Sequence, residues 1–238
     1  MRTVAIHLSV IVPAFEEERS LGAVVEEVVS ILEALGNIYE LIVVDDGSRD
    51  ATGAIAEQLA KGNPTVRVIH HPVNKGLGEV YRTGFALARG EFITFIPADG
   101  EIPAANLKSF MPLIGQADLV LGSFPNRGIS FLSKAERILF WLLFGPLPKF
   151  QGIFMFRRTL LNEIELKSSG RGWMMMMELI IRASRNDFTI ASVPTEMRPR
   201  MSGKSKVRNL PNIWVNLKQV IALRLYLSRN GTREMRML

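Results

Sequence analysis

The chain contains no cysteine, which excludes disulfides and thiolate catalysis. Its only histidines are His7, His70 and His71, little material for a zinc site. Long apolar runs are also missing: Ile138 to Leu147 covers about ten residues, against the roughly twenty that a membrane-spanning helix needs. At the N-terminus, Val4 to Ile6 is too short for a signal-peptide core and no small-residue cleavage pattern follows it. A cytoplasmic location is therefore expected. No aromatic-rich recognition motif accompanies the basic charge, so nucleic acid is not an expected partner. What remains for chemistry is a set of carboxylates and basic side chains.

A length of 238 residues with 47% hydrophobic and 22% charged residues is enough to bury a sizeable core. The net charge of +6 is concentrated late in the chain, at Arg198, Arg200, Lys204 and Lys206, and again at Arg224, Arg229, Arg233 and Arg236. Such a distribution favours anionic partners: nucleic acid, anionic lipid or a phosphorylated substrate on charge alone.

Apolar runs of strand length alternate with segments of helical period. Leu8 to Pro13, Tyr39 to Val44, Val66 to His70, Phe92 to Ile96, Asp118 to Gly122 and Phe150 to Arg157 read as strands. Glu16 to Leu35, Asp50 to Lys61 (with Asp50 as N-cap), Glu79 to Ala88, Ala104 to Met111, Ser133 to Phe144 and Met174 to Ser184 read as helices. The expectation is an α/β fold with a mostly parallel central sheet covered by helices. Residues 1–206 form one domain in this reading, and residues 207–238 a C-terminal amphipathic helical extension, with a helix from Pro211 to Ser228.

Two of the apolar strands end in acids. Ile42-Val43-Val44 runs into Asp45-Asp46-Gly47-Ser48, and Phe92 to Ile96 runs into Pro97-Ala98-Asp99-Gly100-Glu101. Ligands of open α/β sheets bind outside the carboxyl ends of the strands, so acids there can hold a base, a ribose or a metal-bound pyrophosphate. Asp45 and Asp46 could equally serve an Asx turn. The glycines Gly76 and Gly78 match neither a Walker loop nor a dinucleotide fingerprint.

Taken together, Ser9 to Glu18, Val44 to Ser48, Asn74-Lys75-Gly76-Leu77-Gly78 and Ala98 to Glu101 resemble the serial motifs of glycosyltransferase family 2. The dolichyl-phosphate mannose synthase branch is the most similar, over roughly residues 8 to 206. The resemblance implies a GT-A fold and inverting sugar transfer from a nucleotide sugar donor to a lipid phosphate acceptor, with Mg²⁺ or Mn²⁺ as cofactor. It places Pro13, Phe15, Glu17, Val44, Asp46 and Lys75 at the nucleotide, and Asp99 and Glu101 at the metal. It also implies that Arg198 and Arg200, in a basic loop with Lys204, Ser205 and Lys206, close over the reacting phosphates; a solvated loop is the bland alternative. Two departures stand out. Pro97 replaces the first acid of the metal motif, and Phe124 stands where an arginine is expected, so that either Arg127 substitutes or the contact is absent.

Near Trp173 to Glu178 the wider family has a Glu-Asp pair whose aspartate is a catalytic base for hydroxyl acceptors. Here Met177-Glu178 has no following aspartate, which favours a phosphate acceptor, already ionised at neutral pH. Glu178 is either a base or a capping and pairing residue. Ser133, Lys134 and Arg137 ahead of Ile138 to Phe144 suit either a polyprenyl phosphate at a membrane surface or a core helix. A membrane surface or membrane-protein partner, reached from the inner face, is thus expected. The rivals are a soluble transferase with a hydroxyl acceptor and a noncatalytic nucleotide-sugar-binding protein.

Overall fold

The computed structural model describes residues 7–36, 38–124, 131–150, 152–168, 174–201 and 218–228, with the backbone alone for residues 131–137. Arg127, Trp173, Lys204, Ser205, Lys206, the first residues of the helix expected from Pro211, and the side chains of Ser133, Lys134 and Arg137 lie outside what is described.

Strand β1 (Leu8–Ala14) leads through α1 (Leu21–Ala34) to β2 (Tyr39–Asp45), and α2 (Thr52–Gly62) leads on to β3 (Val66–His70). Then follow α3 (Leu77–Leu87), β4 (Phe92–Phe95), α4 (Leu107–Phe110) flanked by 3₁₀ turns, β5 (Leu119–Ser123), α5 (Phe131–Phe144) and β6 (Phe154–Arg157). The short α6 (Leu160–Glu163), α7 (Met174–Ala183), β7 (Ile190–Pro194) and a helix over residues 218–228, α8, complete the described elements.

Among the described residues the strands form one sheet in the order β3-β2-β1-β4-β6-β5-β7. Only β6 runs antiparallel, against both β4 and β5. All seven residues of β1 and of β2 are buried, because helices cover both faces. The two-residue strand period therefore divides the core. Val10, Val12, Leu41 and Val43 pack with α1 on one side, and Ile11, Ile42 and Val44 with α3 and α7 on the other.

The chain leaves β1 toward β2 on one side, and later returns to β4 on the other, so strand order reverses beside β1. Crevices at such a reversal are where open α/β sheets take ligands. Parallel register puts Ala14 opposite Asp45 and Ile11 opposite Phe95. Beyond the strands, Asp46 N–H donates to Ala14 O at 2.9 Å and Ala98 N–H to Pro13 O at 3.1 Å. Three strand ends thereby reach one edge with the acid segments directly after them.

Helix α1 starts five residues later than the sequence pattern suggests. Glu16 has a positive φ of 53°, and the N–H groups that would open a helix there are taken instead by the β2–α2 loop. Glu16 N–H donates to Ser48 Oγ at 2.9 Å and Glu17 N–H to Thr52 Oγ1 at 2.8 Å. The N-cap of α2 is Ala51 rather than the expected Asp50, whose Oδ1 accepts the Thr52 N–H from one residue earlier at 3.0 Å.

Candidate functional site

A cavity of about 520 Å³ opens at this edge. Pro13, Phe15 and Glu17 wall it after β1, Asp46 after β2, and Pro97, Asp99 and Glu101 after β4. Gly76, Val80 and Tyr81 contribute from the start of α3, Met176 from α7, and Arg200 from the segment after β7. A second hollow of about 580 Å³ shares Phe15 and Asn74 with it and reaches Asp45, His70 and His71.

Asp46 is nearly enclosed, and its oxygens are spent on the segment between β3 and α3. Oδ1 accepts from Lys75 N–H at 2.9 Å and meets His71 Nδ1 at 2.7 Å, while Oδ2 accepts the Gly76 N–H at 2.8 Å. His71 Nε2 lies 2.9 Å from Thr83 Oγ1 on α3. Asp46 thus fixes the Lys75–Gly76 turn against the cavity. Its neighbour Asp45 accepts the Ser48 N–H and meets His70 Nδ1 at 2.9 Å, and Glu57 holds the other ring nitrogen of His70 at 3.0 Å. The hydrogen bond to Asp45, then that to Glu57, raises the pKa of His70 above its ordinary value.

Asp99 and Glu101 project into the cavity and share a cation from their own chain. Arg200 Nη2 is 3.0 Å from Asp99 Oδ2, and its Nε 3.0 Å from Glu101 Oε1. Asp99 Oδ1 also accepts the Glu101 N–H at 3.0 Å, an Asx turn that fixes the spacing of the two acids. Gly100 between them has φ 71°, a conformation glycine adopts without strain. Behind them Tyr81 is 1% exposed, and burial, then the charge of Asp99, raises its phenol pKa so that it stays protonated.

Several residues expected at the site lie elsewhere. Val44 is fully buried, packed beside Ile11 and Val80 on the same side of the sheet as the cavity, and does not line it. The Lys75 side chain is exposed, and only its backbone serves the site. Arg198 is a strut: its Nε donates to Gly100 O at 2.7 Å, and its Nη2 meets Glu27 Oε2 of α1 at 2.5 Å. Glu178 is fully buried away from the cavity. Its carboxylate accepts the N–H groups of Lys167 and Ser168 and pairs with Arg182 Nε at 2.8 Å, so the pairing alternative holds and the catalytic-base expectation is corrected. Tyr81, His71 and Met176 were not singled out as site residues from the sequence. For His71 the signal was available in its position directly after β3 at the acid-bearing edge.

Residues 9–180 match the family model for glycosyl transferase family 2. The chain belongs to that family. It is 31% identical over 215 residues to the polyprenol monophosphomannose synthase of Mycolicibacterium smegmatis, covering 83% of this chain and 80% of that protein. It is 25% identical over 237 residues to a dolichyl-phosphate beta-glucosyltransferase of Trichomonas vaginalis, covering 91% of this chain and 73% of that one. Among solved structures, glucosyl-3-phosphoglycerate synthase of Mycobacterium tuberculosis, in complex with Mn²⁺, UDP-glucose and phosphoglyceric acid, superposes with a TM-score of 0.70 at 26% identity. That match covers 95% of this chain and 80% of the other. The family 2 chain is therefore a glycosyltransferase with the GT-A fold, similar to the dolichyl-phosphate mannose synthase branch.

The donor set can be tested against the divalent cation that such folds use. Asp99 and Glu101 present oxygens that one guanidinium bridges at 3.0 Å each, so both reach a single cationic centre. Among the described residues no group of three or more histidine, cysteine or acidic side chains is arranged around a metal position. Mg²⁺ and ions like it are held by one or two carboxylates plus substrate phosphates, and two acids fit that pattern.

Proposed function

We propose that this glycosyltransferase moves a sugar from a nucleoside diphosphate sugar onto the phosphate of a polyprenyl lipid, with inversion at the anomeric carbon. The observation that carries the acceptor class is Glu178. Glu178, the carboxylate left as a candidate base where the following aspartate is missing, is buried and committed to Lys167, Ser168 and Arg182, and so is not available to deprotonate a hydroxyl. A phosphate monoester is already anionic at neutral pH and attacks without a base. The names of the relatives from Mycolicibacterium smegmatis and Trichomonas vaginalis support the same acceptor class.

In this reading Phe15 and Pro13 pack the nucleotide, and the Asp46 cradle holds the Lys75–Gly76 turn that borders it. Asp99 and Glu101 would hold Mg²⁺ or Mn²⁺, which supplies positive charge to the departing nucleoside diphosphate. Arg200, the cationic side chain lining the cavity, is within reach of phosphates that enter it. An acceptor oxygen attacks the anomeric carbon from the side opposite the diphosphate, and the bond between that carbon and the diphosphate oxygen breaks.

The acceptor side has an apolar surface to match. Phe140 and Phe144 of α5 pack with Val220, Leu223 and Leu227 of α8 and Ile181 of α7, and the described outer positions of α5 and α8 include exposed apolar side chains. Ile138, Trp141 and Leu142, with Ile221 and Leu225, are exposed large apolar side chains at helical spacing there. Lys218 and Arg224 are exposed on α8 beside them. Apolar faces edged by cations suit an anionic bilayer surface.

A second reading, a small phosphorylated acceptor used through a hydroxyl, is supported by the likeness to the phosphoglycerate-using synthase. Nucleotide release from a panel of UDP and GDP sugars, with Mg²⁺ or Mn²⁺, separates the two. Release only in the presence of a short polyprenyl phosphate supports the lipid acceptor. Release with 3-phosphoglycerate and none with the lipid overturns it.

A further inference from the structure

Arg200 stands where a divalent cation would be held. The segment that carries it is laid along the acid motif as a strap, pinned at both ends. Glu196 N–H donates to Asn106 Oδ1 at 2.7 Å, Arg198 N–H to Glu101 O at 2.9 Å, and Met201 N–H to Asp99 O at 3.1 Å. The Arg198 side chain adds its bonds to Gly100 O and Glu27. Between these pins the Arg200 fork reaches both acids at 3.0 Å, with its side chain 16% exposed and that of Asp99 13%. Among the described residues that line the cavity, Arg200 is the only cationic side chain.

We propose that Arg200 is a built-in occupant of the cation position: its guanidinium and a divalent ion compete for Asp99 and Glu101, and the entering donor diphosphate draws Arg200 off the acids. This rests on the reading of Asp99 and Glu101 as the metal-holding pair. The argument is one of charge and of acceptor supply. Two carboxylates balance one divalent ion, and a guanidinium left among them would face that ion in a partly desolvated cavity, where repulsion is screened far less than in water. Position 97 supplies no third carboxylate, being proline, and Asp99 Oδ1 is already engaged by the Glu101 N–H. The acids would therefore serve both cations together only against the repulsion between them. A diphosphate offers the displaced guanidinium a better partner, because its oxygens match the planar fork. Ion and donor accordingly bind in a coupled way, with the ion alone bound weakly.

The test reads Mn²⁺ binding without any nucleotide, by the electron paramagnetic resonance signal of the free ion, so it does not depend on turnover or on the acceptor. Removing the charge in Arg200→Gln is expected to tighten Mn²⁺ by about tenfold or more, since the competing cation is gone. Arg200→Lys, which keeps the charge, is expected to stay within about threefold of wild type. Asp99→Asn placed in the Arg200→Gln background should abolish the gain, which locates the ion. Unchanged or weaker Mn²⁺ binding in Arg200→Gln overturns the competition, as does the absence of binding in every form. Equal tightening in the Lys and Gln variants also overturns it, because loss of strap packing would then explain both. Absence of sugar transfer by the wild-type protein to a short polyprenyl phosphate, with these affinities as expected, would instead count against the proposed function alone.

Discussion

Arg198 and Glu178, whose expected roles were corrected, are both held by partners that the local sequence does not mark. Arg198 meets Glu27 across 171 positions, and nothing near either residue announces the pair. Glu178 is nearer to its partners, but the buried N–H groups of Lys167 and Ser168 that need its carboxylate become visible only in three dimensions. By contrast the placement of Asp99, Glu101 and Asp46 at the cavity edge was legible, because a parallel strand that ends in an acid delivers it to a predictable edge. Removing charge at Glu178 leaves Arg182 buried without its counter-ion, so Glu178→Gln should cost about 3 kcal/mol in denaturant unfolding. Transfer per folded molecule should stay near wild type; a folded variant with severely reduced turnover would restore the base role. His70 makes a pH prediction. Its folded pKa is raised, so its contribution is fully present below the ordinary value of 6.5 and fades as pH rises through the folded value. The gap in Tm between wild type and His70→Gln should therefore be wider at acid than at alkaline pH. A gap that is constant with pH would deny the ring its charged role.

Elements were legible where both faces of a strand are apolar, and less so where loops compete with helices for N–H groups. The apolar period of α1 begins before the helix does, because Ser48 and Thr52 take the N–H groups of Glu16 and Glu17. The antiparallel β6 is shorter than its apolar run, with pairing confined to Phe154–Arg157. Between elements, the β2–α2 turn and the segment after β3 come unusually close. Gly47 has φ 71°, and a Cβ there would lie 2.6 Å from the backbone carbonyl carbon of Val73. Since neither backbone can move without disturbing Asp46 and the turn it holds, Gly47→Ala combines left-handed strain with a clash. We expect a loss of about 2 kcal/mol of stability. The donor KM should rise more than kcat falls if, as proposed, the cradle borders the nucleotide rather than the leaving group. A donor KM equal to wild type would separate this turn from the site.

At the scale of the whole molecule, the edge that carries the cavity and the face formed by α5 and α8 belong to one body, tied together by α7. Met176 of α7 lines the cavity, while Met174 and Ile181 of the same helix pack under α5 and α8. An enzyme whose acceptor has a long apolar tail and an anionic head gains by holding both ends of it at one orientation to a bilayer, since positioning replaces a search in three dimensions. Among the described residues no helix is long and apolar enough to cross a membrane. In the proposed lipid-acceptor reading, contact between these helices and a bilayer would rest on buried side chains and on charge. Trp141 is 60% exposed and Leu225 52% exposed, so replacing both with serine removes apolar surface without opening the core beneath. Burial of a large apolar side chain contributes about 1.5–3 kcal/mol, so Trp141→Ser with Leu225→Ser should weaken binding to anionic phospholipid vesicles by tenfold or more. Raising the salt should weaken wild-type binding as well, because Lys218 and Arg224 act through screened charge. Transfer to a short, water-soluble polyprenyl phosphate should survive in the double variant. Co-sedimentation with vesicles that is identical in the two proteins, or absent in the wild type, would remove this face from the account of how the acceptor is met.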